Sequence, residues 1–83
     1  MDQRDAEIAP GRILIKFQSG IGAASVQQKL SAFRGVSIES QIPALDVQLL
    51  RVPAGEEWLL IDHLRALPGV EYAEPDYVIK LMP

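Results

Sequence analysis

Apolar and polar residues alternate over Arg12–Gln18. Ile13, Ile15 and Phe17 point one way and Leu14 and Lys16 the other, which predicts a first strand. Over Ala23–Arg34 the period changes to that of a helix. Ala23, Val26, Leu30 and Phe33 share one stripe, with Ser25, Gln28, Lys29 and Ala32 away from it. Gly35 stands where a helix C-terminal glycine belongs, because left-handed geometry costs little without a Cβ. Alternation returns over Val36–Ile42, breaks at Pro43-Ala44, and resumes over Leu45–Val52, where Val47 and Leu49 share a face. The apolar phase slips at Leu49-Leu50, which predicts a bulge or burial on both sides. So short a connection makes these two strands an antiparallel hairpin. Pro53-Ala54-Gly55 is a loop, and Glu56–Leu67 is a second helix with Leu60, Ile61, Leu64 and Leu67 inward. Glu56 and Glu57 lie in its first turn, where the helix dipole favours anions. Pro68-Gly69 stops that helix. Val70–Ala73 then begins a fourth strand, interrupted at Pro75, and Tyr77–Met82 continues as an extended tail.

The order β-α-β-β-α-β with short connections implies right-handed crossovers and an α+β, ferredoxin-like sandwich. Its four-stranded antiparallel sheet would carry both helices on one face. The chain of 83 residues supports one domain, here residues 11–76, with a flexible leader over 1–10 and the tail over 77–83. The sheet face away from the helices is expected to show Leu14, Lys16, Asp46, Gln48, Leu50, Glu71 and Ala73. That face is half apolar and uncovered, so it is either solvated or docked on a partner. Trp58 projects to the flank of the second helix and reads as a ring snorkelling over the sheet edge.

Charge and chemistry narrow the function. A net charge of -3 and a pI near 4.9 oppose a nucleic-acid partner, which wants clustered cations. RNA binding on this fold also needs rings on the open sheet face, and strands one and three offer only Leu14, Lys16, Asp46 and Gln48. With no cysteine in the chain, disulfides and thiolate chemistry are excluded. Metal binding needs three or four convergent ligands, and only scattered carboxylates and His63 are present, so neither metal nor cofactor is expected. His63 lies off the apolar stripe beside Asp62, with no nucleophile arranged near it. The pairs Glu56/Glu57 and Glu71/Glu74 read as solvated charges and not as acid–base dyads. Ser19-Gly20-Ile21-Gly22 is a strand-to-helix turn, lacking the Lys-Ser/Thr of a phosphate loop. The inventory therefore argues against an enzyme. No apolar run approaches the ~20 residues that span a bilayer, and Met1–Pro10 lacks the apolar core of a signal peptide.

The C-terminal stretch Pro68-Gly69-Val70-Glu71-Tyr72-Ala73-Glu74-Pro75-Asp76-Tyr77-Val78 resembles the end of subtilisin-like protease propeptides. Gly11-Arg12-Ile13-Leu14-Ile15-Lys16-Phe17 is similar to that family's first strand, and Val52-Pro53-Ala54-Gly55 to its approach to the second helix. The likeness covers about residues 10 to 82 in the same element order. It implies a non-catalytic domain, monomeric when free, that inhibits its protease and acts as an intramolecular chaperone within a secreted precursor. The implied partner is the subtilisin-like catalytic domain, with neither nucleic acid nor membrane involved. The open sheet face (Leu14, Lys16, Asp46, Gln48, Leu50) would pack on two protease helices. Glu74 and Asp76 would cap those helices. Tyr77, Val78, Ile79, Lys80, Leu81 and Met82 would lie in the substrate cleft, with Met82 in the first specificity pocket and Ile79 in the fourth. Pro83 disfavours a cut directly before it, which leaves the cleavage register open by a residue or two. Two alternatives remain: a stand-alone subtilase inhibitor, and a dimerising metabolite-sensing module of the same fold, since one fold hosts many functions.

Overall fold

The fold is organised around Ile13 and Ile15, which are wholly buried in the computed structural model; it describes residues 7–78. Their strand, β1 (Ile8–Phe17), is followed by α1 (Ala23–Leu30), β2 (Ser37–Ile42), β3 (Val47–Arg51), α2 (Glu57–Arg65) and β4 (Val70–Tyr77). The four strands form one antiparallel sheet in the order β2-β3-β1-β4. This is the expected α+β, ferredoxin-like arrangement. β1 and β3 are central, so each has neighbours on both sides, while β2 and β4 are edges.

One sheet face meets both helices. Ile13, Ile15 and Phe17 from β1, Leu50 from β3 and Ala73 from β4 pack in a single cluster with Val26 and Leu30 of α1 and Ile61 and Leu64 of α2. Cross-strand pairing accounts for the membership: Ile13 faces Leu50 and Pro75, and Ile15 faces Gln48 and Ala73. Residues directly opposite in a sheet share a face, so these partners turn to the helix side together. Arg65 ties the far side of α2 to the sheet, its Nε donating to the Ala73 carbonyl at 2.9 Å.

Several boundaries differ from the sequence expectation. α1 ends at Leu30 because the chain tightens there: the Ser31 hydroxyl donates to the Gln28 carbonyl and the Phe33 N–H to the Leu30 carbonyl. β3 starts at Val47, since Pro43–Leu45 form a 3₁₀ turn closed by Asp46 in the left-handed region at φ 54°. Aspartate tolerates that conformation better than most residues. β1 begins at Ile8, four residues earlier than its alternation predicts, so residues 8–10 of the expected leader are strand. Pro75 does not interrupt β4, which runs on to Tyr77. An edge strand can carry a proline because its outward N–H has no ladder partner to lose.

Candidate functional site

The sheet face turned away from both helices is built from three cross-strand rows. In the first, Ile42 of β2 pairs with Val47, Val47 with Lys16, and Lys16 with Tyr72. In the second, Ser40 pairs with Leu49, Leu49 with Leu14, and Leu14 with Glu74. The third is charged. Arg12 pairs with Arg51 across β1 and β3, and Glu39 lies between the two guanidiniums, accepting a hydrogen bond from Arg51 Nη2 with Arg12 Nε 3.6 Å away. Arg12 also reaches Asp76 on β4 at 3.8 Å. The bonded Arg51 and the nearby Arg12 hold the Glu39 carboxyl below its ordinary pKa, against the smaller opposing effect of desolvation.

The face is thus an apolar strip of Ile42, Val47, Leu49, Leu14 and Tyr72 bordered by a row of alternating charge. Ile42 and Tyr72 are exposed, Leu14 and Leu49 half-buried, and Val47 almost covered by its own neighbours. None of the five packs in the core cluster under the helices. Lys16 extends over the strip to within 3.8 Å of Glu71, which sits at the β1–β4 irregularity between Lys16 and Phe17.

This composition corrects the expected face. Leu14 and Lys16 lie on it, but Leu50 and Ala73 are fully buried beneath the helices. Gln48 shares the core-side row with Ile15; its Oε1 is buried and has no hydrogen-bond partner among the described residues. Asp46 is in the turn before β3 and not on the strand. The physical reason is register: β3 is apolar in both phases, and pairing Leu50 with Ile13 sends Val47 and Leu49 outward in its place. On β4, pairing Ala73 with Ile15 and Tyr72 with Lys16 turns Tyr72 outward, so the open face does carry a ring.

Glu74 is exposed at the end of the second row, and Asp76 is half-buried against Arg12 at the end of the third. Tyr77 is the last residue of β4, paired with Ile8, and the Val78 N–H donates to the Glu7 carbonyl at 3.0 Å. Ile79, Lys80, Leu81 and Met82 lie outside the described residues. His63 is exposed and meets the Phe33 ring edge-on, with centroids 6.4 Å apart. Trp58 packs partly buried against the core cluster.

Sequence reasoning missed one further group. Glu57, expected to be a first-turn surface charge, is 5% exposed. Its carboxylate accepts from the Gly11 N–H at 2.7 Å and the Gly55 N–H at 2.9 Å. Burial pushes its pKa up, but the N–H groups of Gly11, Glu57 itself and Gly55 outweigh that and leave it below the ordinary value. Gly11 sits at φ +77°, where a Cβ would come within 3.2 Å of the Val52 carbonyl oxygen. Only glycine suits that position.

Among the described residues no cluster of three or more histidine and carboxylate side chains could hold a metal, and no helix is long and apolar enough to cross a membrane.

An open apolar sheet face on a βαββαβ domain narrows the choice of family, and the sequence of the whole domain decides it. A family model described as the Fervidolysin N-terminal prodomain matches residues 2–76. The chain belongs to this prodomain family. The family is one of subtilisin-like protease propeptides, so the domain is associated with a subtilisin-like catalytic domain. Neither a curated protein nor a solved structure matches the chain. The match spans every strand and helix of the prodomain except the last residue of β4.

Proposed function

We propose that the prodomain inhibits a subtilisin-like catalytic domain and assists its folding, docking through the open sheet face. The observation that carries this reading is the apolar strip of Leu14, Leu49, Ile42 and Tyr72 around the nearly covered Val47, which the chain's own helices leave open. An antiparallel sheet tolerates water on one face, but a contiguous apolar strip bordered by charge favours a protein partner.

Glu74 and Asp76 stand at the β4 end of that face, where carboxylates can accept hydrogen bonds from helix N-termini of the partner. Beyond them, Tyr77, Val78, Ile79, Lys80, Leu81 and Met82 would enter the substrate cleft as an added strand, with Met82 in the first pocket and Ile79 in the fourth. A domain that binds the folded protease lowers its free energy relative to the unfolded chain. Holding surface helices of a high-contact-order fold together would also lower the barrier to reaching it. Within a secreted precursor, these two actions would silence the protease until it has folded.

Refolding tests the chaperone half. Denatured subtilisin catalytic domain should regain activity faster, and in higher yield, when diluted with stoichiometric prodomain and then freed of it by proteolysis. Equal yields with and without the prodomain would refute that half.

A further inference from the structure

We infer that Glu7 and Ile8, at the start of β1, are positioning residues that hold the beginning of the C-terminal segment in line with the sheet. This rests on the reading of residues 77–83 as the part directed to the protease cleft.

Gly11 is the fixed point of β1. Its N–H is held by Glu57 Oε2 and its carbonyl accepts from the Val52 N–H at 2.9 Å, so α2 and the end of β3 pin the strand at this point. On the C-terminal side of Gly11, β1 pairs without a register shift over Arg12–Lys16 with β3 and over Ile13–Lys16 with β4. On the N-terminal side the register with β4 jumps: five steps along β1, Ile8 to Ile13, answer two steps along β4, Tyr77 to Pro75. The left-handed glycine takes up the extra residues as a bulge. The segment before it is thereby delivered to the end of β4, where Ile8 pairs with Tyr77 and the Glu7 carbonyl accepts from the Val78 N–H at 3.0 Å.

This placement matters because β4 is an edge strand, with β1 its one neighbour in the sheet. On its inner side, the backbone of Tyr77 and Val78 pairs with Ile8 and Glu7, which precede the Gly11 bulge. Those contacts fix the backbone of Tyr77 and Val78, and whatever follows in the chain starts from that fixed direction. A segment ordered before it binds does not lose that freedom on binding. Glu7 and Ile8 therefore act on the cleft through Tyr77 and Val78.

The test uses the full chain, a deletion of residues 1–6, a deletion of residues 1–8 and a deletion of residues 79–83. Each is titrated against purified subtilisin with a chromogenic peptide. Thermal melting and amide exchange at Val78 are followed alongside. Removing 1–6 should leave inhibition and Val78 protection intact. Removing 1–8 should abolish that protection and weaken inhibition by about tenfold, with the fold retained. Loss of inhibition on removing 79–83 but none on removing 1–8 overturns the inference alone. No loss on either overturns the tail reading and the inference with it. Equal loss on removing 1–6 and 1–8 also overturns it, because the effect would not come from the pairing.

Should the 1–8 deletion fail to fold, the pair Ile8→Cys, Tyr77→Cys decides the matter. Cross-strand partners lie within disulfide reach in an antiparallel sheet. The oxidised form should inhibit at least as tightly as the reduced form of the same variant. Weaker inhibition on oxidation would overturn the inference.

Discussion

The carboxylate of Glu57 accepts a hydrogen bond from the Gly11 N–H at 2.7 Å across 46 positions of sequence. It fastens the start of α2 to the bulge of β1, and its second oxygen accepts from Gly55 in the turn before that helix. Hydrogen bonds to a buried charge contribute more than neutral ones, and their loss leaves donors unpaired. Glu57→Ala should therefore cost about 2–3 kcal/mol of stability, read as a lower urea midpoint at unchanged slope. A loss below about 0.5 kcal/mol would show that the two glycine donors find other partners.

The same carboxylate makes stability depend on pH in a defined direction. Its folded pKa is depressed, so its contribution is complete above the ordinary glutamate value. That contribution is lost as pH falls through the lower folded value. Thermal midpoints should drop across this acidic window, and Glu57→Gln should flatten the drop. Glu39, whose pKa is also lowered, is solvent-screened beside Arg51, and Glu39→Gln should leave the profile nearly unchanged.

The phase of β3 yields a sharp contrast between neighbours. Leu49 lies on the open face and Leu50 in the core. Leu49→Asp should abolish inhibition of a subtilisin-like protease with little change in melting temperature. Leu50→Ala should instead cost about 2–5 kcal/mol, from lost burial and the cavity left behind. Gln48→Met, which replaces a buried oxygen lacking a partner, should keep inhibition and match or exceed native stability. If Gln48→Met weakens inhibition more than Leu49→Asp does, the face has been assigned the wrong way round.

Asp76 is a milder case. Its contact with Arg12 is long, at 3.8 Å, and partly solvated, so Asp76→Asn should change stability by less than about 1 kcal/mol. Inhibition should nonetheless weaken markedly if this carboxylate caps a partner helix. Parallel losses of stability and inhibition would make its role internal to the prodomain.

Most of the architecture was legible in the alternation of Ile13, Ile15 and Phe17 and in the helical stripes through Val26, Leu30, Ile61 and Leu64. Those segments have one apolar phase, and a period with one phase has one way in. β3 was not legible in the same way, because Val47 and Leu49 compete with Leu50 and Val52 for the core, and only pairing with Ile13 decides between them. β4 misleads for a related reason: small Ala73 and Pro75 go inward where the larger Tyr72 looks the better core residue. Glu57 was illegible because its partners are backbone N–H groups, one of them far off in the sequence. The charged row of Arg12, Arg51, Glu39 and Asp76 likewise emerges only when all four strands are laid side by side.

The most direct test of the account is a titration of purified subtilisin with the full chain, followed by hydrolysis of a chromogenic peptide, beside the Leu49→Asp variant. The account predicts stoichiometric, tight inhibition by the full chain and a collapse of inhibition in a variant that melts at nearly the same temperature. A full chain shown to be folded that leaves several subtilisin-like proteases active at micromolar concentration would contradict it.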